Sequence, residues 1–149
     1  MGQLVPYSLA KHPELGANLA SAAWPRYTSE MRAPEWLKRA ALAAHALQAT
    51  SARQKDATHC VYVVLLHNSA RQDPFGLYVG QTSRDPDLRF DQHKAGYKAS
   101  SAVRRFGVRL LPDLVDHLNP MHRSEALDLE AALANALRRT GVPWVEGGH

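Results

Sequence analysis

Three groups of residues in this chain have types and spacings suited to chemistry on a phosphate. The first is a carboxylate in an apolar stripe. At about 100° per residue, Ala126, Leu129, Leu133, Ala136 and Leu137 fall on one side of a helix, and Glu130 falls among them, within about 40° of Ala126. Asp128, Asn135 and Arg139 group on the opposite side. A carboxylate turned toward a core is costly unless it is paired or holds a cation, so Glu130 reads either as a metal ligand or as half of a salt bridge to an arginine. The second group is Arg89 and His93, one helical turn apart and on one face. Both can reach one phosphate, the guanidinium as a fork of donors and the imidazole as a carrier of a proton near neutral pH. An ordinary solvated helix face can carry the same pair. The third is Tyr62 and Tyr78, each sharing a strand face with a small neighbour, Cys60 and Gly80. Their hydroxyls can converge across a hairpin, although strand tyrosines also serve as half-buried packing residues.

These residues need elements to position them. The β-branched run CVYVVLL, residues 60 to 66, predicts a buried strand, and GLYVGQT, residues 76 to 82, a second one. The residues from His67 to Phe75 suffice for an antiparallel hairpin and are too few for a parallel crossover. Asp85 and Pro86 form an N-cap and first-turn pair that opens a helix carrying Arg89 and His93, closed by Gly96. A short helix starts at Ser100 or Ser101 and runs through Arg104 and Arg105 to Phe106. VRLLPDL follows as a third strand or extended segment, with Pro112 suited to an edge. The last helix begins after Ser124 and ends with Arg138 and Arg139 before Gly141, which places cations where the backbone dipole favours them. The expected fold class is α+β, a small central antiparallel sheet of about three strands flanked by helices. Residues 1–57 read as a helical N-terminal extension. Pro6, Pro13, Pro25 and Pro34 break it up ahead of a helix from Pro34 to Ala52, whose apolar face is Trp36, Ala40, Ala44 and Leu47. Residues 58–149 hold the chemistry.

Composition narrows the class. The chain has 149 residues, 45% of them hydrophobic, enough for one core but without the ~18 continuous apolar residues of a membrane span. The opening MGQLVPYSLAKHPELG lacks the features of a secretory signal, so a cytoplasmic location without membrane association is expected. One cysteine, Cys60, excludes a disulfide framework and reads as a buried, inert thiol. The net charge is +4, and residues 81–110 alone carry that excess, with seven bases against three acids. This suits a polyanionic partner, and Lys94, Lys98, Arg104 and Arg105 are the candidates for sequence-independent phosphate contacts. No helix-turn-helix pattern, zinc spacing or glycine-rich phosphate loop offers sequence-specific recognition.

Taken in order, these features resemble the GIY-YIG nuclease superfamily over residues 61 to about 141. Val61-Tyr62-Val63 stands where the family has its first tripeptide, and Tyr78-Val79-Gly80 is similar to the second. Arg89-Phe90-Asp91-Gln92-His93 looks like the family's arginine followed four residues later by His or Tyr, and Glu125 to Glu130 like the approach to its metal-binding glutamate. The first tripeptide departs from the pattern as VYV. Gln81 stands where some members have lysine, and the tail VPWVEGGH lacks the asparagine many members carry, for which Asn135 is too early and on the wrong helix face. The resemblance implies a metal-dependent endonuclease hydrolysing phosphodiester bonds, on DNA in preference to RNA, nonspecific or structure-selective. One Mg²⁺ or Mn²⁺ would be held by Glu130. Arg89 would stabilise phosphoryl charge, Tyr62 with His93 would orient or deprotonate the attacking water, and Tyr78 would hydrogen-bond the phosphate. The same residues leave room for a catalytically silent nucleic-acid-binding module, and for a partner-binding protein or homo-oligomer working through its N-terminal helix.

Overall fold

The computed structural model describes residues 34–148. The reading of residues 1–33 lies outside them. The fold is α+β, with helices on both faces of one sheet. In chain order it runs α1 (Trp36–His45), β1 (Cys60–His67), β2 (Phe75–Thr82), α2 (Pro86–Ala95), α3 (Ser101–Phe106), β3 (Gly107–Leu110), a 3₁₀ turn (Pro112–Leu114), α4 (Arg123–Arg138) and β4 (Val145–Gly147).

β1 is interior to the sheet because its side chains are apolar on both faces, and Val61 through Leu66 are all buried. Val61, Val63 and Leu65 face the core built with α1 and α4, whereas Tyr62, Val64 and Leu66 face Phe90 of α2 and Val103 of α3. β1 and β2 pair antiparallel from Cys60↔Thr82 to His67↔Phe75, as the hairpin reading predicts. The sheet order is β3-β1-β2-β4, and β3 is an edge strand with Pro112 just beyond it in the 3₁₀ turn.

The sheet differs from expectation in having four strands and mixed direction, since β4 pairs parallel with β2. β4 is three residues long, too short for an alternating pattern to register. Gly147 and Gly148 then turn the chain out of the sheet at φ +84° and +83°, a region that favours glycine. The turn lays the tail against Ala134 of α4, while the Gly148 N–H donates to the Val79 carbonyl of β2 at 3.1 Å.

α1 is shorter than the expected Pro34–Ala52 and stops at His45. Beyond it, the Thr50 and Ser51 N–H groups donate to the Glu125 carboxylate at 2.7 and 2.8 Å rather than to helical carbonyls. Both hydroxyls add to the clamp, and these bonds, those of Ser51 foremost, pull the Glu125 pKa down to about 2. Trp36, Ala40 and Ala44 of α1 are buried in the same core as Leu133 and Leu137 of α4. Trp36→Ala is therefore expected to cost about 3 to 5 kcal/mol in denaturant unfolding. A loss under about 1 kcal/mol, the size of a surface change, would show α1 to be peripheral.

Candidate active site

Tyr62, Tyr78 and His93 meet on the sheet face covered by α2 and α3. Tyr62 lies opposite Gly80 in the β1–β2 ladder, and its ring occupies the space a side chain at 80 would need, since a Cβ there would come within 2.6 Å of the hydroxyl. The ring centres of Tyr62 and Tyr78 are 6.1 Å apart, and that of His93 is 6.1 and 5.7 Å from them. α2 delivers His93 as the sequence requires. Asp85 caps its first turn by accepting from the Asp87 N–H at 2.9 Å, and Gly96 ends it in the left-handed region at φ +90°.

The hydrogen bonds of His93 fix its tautomer. The backbone N–H of Ser100 donates to Nδ1 at 2.9 Å, and a backbone N–H can only donate. Nδ1 is thus the bare nitrogen, and Nε2 carries the proton and donates to the Tyr62 hydroxyl oxygen at 2.8 Å. Burial, then the nearby Arg89, lower the His93 pKa to about 4, so the ring is neutral at physiological pH. Burial raises both tyrosine pKa values. Next comes the other tyrosine, Tyr78 raising that of Tyr62 and the hydrogen bond from Tyr62 lowering that of Tyr78, while in both Glu130 pushes up and Arg89 down. Tyr62 is the more buried, at 3% exposure.

His93 thereby becomes a pH-sensitive element of stability. Its folded pKa lies below the ordinary value of 6.5, so the unfolded chain binds the proton first and stability is lost as pH falls from about 6.5 toward 4. Imidazole nitrogen NMR is expected to show the Nε2–H tautomer at pH 7 and protonation only near pH 4. Titration near 6.5 would contradict this arrangement. Ser100→Pro, which removes the donor at a residue whose φ of −67° suits proline, is expected to release the tautomer.

Arg89 is half-buried and held in place. Its guanidinium donates to the carbonyls of Tyr97 at 3.3 Å and Lys98 at 2.8 Å, and to Gln92 Oε1 at 3.3 Å. A cleft of about 580 Å³ opens beside it, lined among others by Tyr78, Arg89, His93, Lys98, Arg105 and Glu146.

Glu130 is buried at 8% exposure beside Ala126, Leu129 and Leu133, as the stripe predicts. Its charge acts on both Tyr62 and Tyr78. Its main-chain carbonyl lies beside the tail, 3.7 Å from where a Cβ on Gly148 would sit. Neither Glu130 nor Tyr62 lines the cleft itself.

The four basic candidates separate. Lys98 and Arg105 line the cleft, and Arg104 is exposed outside it. Lys94 turns inward, its ammonium donating to the carbonyls of Arg104 at 3.1 Å and Gly107 at 3.0 Å, where it caps the end of α3. Burial lowers its pKa to about 8. A lysine that closes a helix end is poorly placed to meet a phosphate as well.

Cys60 is half-buried, at the start of β1, rather than buried. Burial first, then Asp85, raise its pKa, which keeps the thiol protonated. Two site residues escape sequence reading. Ser100 acts through its main chain, which leaves no signature beyond a helix start. Glu146 depends on the short β4, where it pairs with Tyr78.

Among the described residues, no helix is long and apolar enough to cross a membrane. Comparison with known proteins finds no family model, no curated protein and no solved structure that matches this chain.

Proposed function

We propose that this protein is a metal-dependent endonuclease of the GIY-YIG type, hydrolysing phosphodiester bonds in nucleic acid, DNA in preference to RNA, in a nonspecific or structure-selective way. One observation carries the reading. The Ser100–His93–Tyr62 hydrogen-bond chain lies within electrostatic reach of both the anchored Arg89 and the buried Glu130. Tyr62, Tyr78 and His93 meet there, and Tyr78, His93 and Arg89 line a cleft that also carries Lys98 and Arg105.

The donor chemistry suits a hard cation. A carboxylate oxygen is a fitting ligand for Mg²⁺ or Mn²⁺, which keep water and substrate oxygens in their remaining positions. Among the described residues no cluster of three or more His, Cys, Asp or Glu forms a fuller protein cage. When bound, the ion supplies Lewis-acid polarisation of a phosphate oxygen and stabilises the departing 3′ oxygen.

The protein's own groups do the rest. Arg89 would turn the donors that Gln92, Tyr97 and Lys98 leave open to the nonbridging oxygens as negative charge builds there. Tyr78, at the cleft wall, hydrogen-bonds the phosphate. His93 donates to the Tyr62 oxygen, and Tyr62 is hydrogen-bonded to Tyr78 in turn, so Tyr62 would orient the attacking water through the Tyr78 hydroxyl at the cleft wall. Deprotonation of that water by Tyr62 needs a cation close enough to overcome the raised pKa, and Arg89 already acts in that sense.

The test is incubation with labelled single strands, duplexes, branched DNAs and RNA, in Mg²⁺ and in chelator. Mg²⁺-dependent cleavage of at least one substrate is expected. Binding without cleavage of any would identify a catalytically silent binding module instead.

A further inference from the structure

A row of cations seated on aromatic rings runs along the surface beside the cleft, and the proposed chemistry does not use it. The Arg105 guanidinium carbon lies 5.0 Å from the centre of the Phe106 ring. Phe106 meets Trp144 edge to face, 5.8 Å between centres and 80° between planes. The Arg71 guanidinium carbon then lies 4.6 Å from the Trp144 ring centre. The indole is supported from below by Gly76, where a Cβ would come within 2.5 Å of its ring atoms. Only a residue without a side chain lets Trp144 lie there.

The row begins in the cleft, because Arg105 and Phe106 line it together with Tyr78 and Arg89. It ends in the loop joining β1 and β2, where Arg71 is held by its own N–H donating to the Asn68 carbonyl at 3.1 Å. Both arginines are exposed. Stacking on a ring holds a guanidinium flat and leaves its N–H edge outward. Among the described residues, neither guanidinium has an acceptor that would occupy that edge. Lys98 repeats the pattern on the cleft, its ammonium 5.6 Å from the centre of the Tyr97 ring, which belongs to a side chain 56% exposed.

Two fixed cations bracketing a pair of rings suit a polymer that presents phosphates beside bases. An exposed lone arginine would suit any anion, but one stacked on tryptophan, two rings from a phosphodiester cleft, favours a nucleic-acid strand. We infer that Arg105, Phe106, Trp144 and Arg71 form a docking track for an unpaired strand flanking the phosphate in the cleft, the arginines meeting phosphates and the part-exposed ring edges meeting bases. The inference rests on the nuclease reading and adds to it a direction in which the strand leaves the site, toward the β1–β2 loop.

The experiment uses the full chain in chelator, so that nothing is cut, and measures binding of labelled oligothymidylates over a salt series. One strand is about 4 nucleotides long, confined to the cleft, and another about 16, reaching past it. Arg71→Gln is expected to weaken the long strand several-fold and to lower its logarithmic salt slope by about 0.7. Binding of the short strand, and Mg²⁺-dependent turnover of bis(p-nitrophenyl) phosphate, should stay at wild-type levels. Trp144→Phe, which keeps a ring under Arg71, should lose less than Arg71→Gln.

An unchanged slope in Arg71→Gln, with a wild type that binds and cuts, would overturn the track and leave the nuclease reading standing. Equal losses for short and long strands would overturn it too, by placing Arg71 in the cleft itself. If polyglutamate displaces the long strand as well as unlabelled DNA does at equal charge, the row is a general acidic-polymer surface and the strand assignment falls. A wild type that binds neither strand ends both readings.

Discussion

Glu130→Gln is expected to abolish Mg²⁺-dependent cleavage while the protein unfolds at nearly the wild-type temperature. The carboxylate is 8% exposed on the apolar stripe of α4, and its charge pushes the pKa of both tyrosines up. Glutamine keeps the shape and a hydrogen-bonding carbonyl but removes the charge that would hold the cation. If Glu130 serves instead as half of a structural ion pair, the replacement leaves a buried cation unpaired. That would destabilise the fold by about 3 to 5 kcal/mol, with cleavage persisting in the folded fraction. Thermal unfolding and cleavage on the same preparation therefore move in opposite directions under the two roles. A folded variant cutting at the wild-type rate would remove Glu130 from the site.

Arg89→Ala is expected to lower the cleavage rate by about 10²- to 10³-fold while nucleic-acid binding persists. The magnitude follows from preorganisation. Three hydrogen bonds, to Gln92, Tyr97 and Lys98, already fix the guanidinium before substrate arrives, so it has little reorganisation to undergo as charge develops. Arg89→Lys should recover only part of the rate, because an ammonium offers no planar fork. Single-turnover kinetics separate the alternatives. Equal losses in binding and in kcat/KM, with kcat unchanged, would make Arg89 a substrate anchor rather than a stabiliser of the transition state.

The parts of the site legible in the sequence are those set by local pattern. Alternation and β-branching place Tyr62 and Tyr78 in paired strands. The Asp85-Pro86 start and Gly96 stop bound the helix of Arg89 and His93, and helical periodicity turns Glu130 inward. What the sequence hides are partnerships between distant segments. α1 ends early because a glutamate 75 residues away from Thr50 takes the N–H groups that a longer helix would use. β4 is a strand only because β2 offers an edge to it, and that pairing brings Glu146 to the cleft. Lys94 reads as one more surface base on a basic helix, yet the end of α3 draws it inward. The Ser100 N–H, which decides what His93 can do, belongs to the backbone and has no letter in the sequence.

The central claim, water attack on phosphorus with departure of the 3′ oxygen, is tested most directly by cleaving DNA in ¹⁸O-enriched water with Mg²⁺. The expected products carry a 3′-hydroxyl on one fragment and a 5′-phosphate bearing the heavy oxygen on the other, and neither forms in chelator. Label on a 3′-phosphate, a product formed without metal, or no cleavage of any strand would contradict the account.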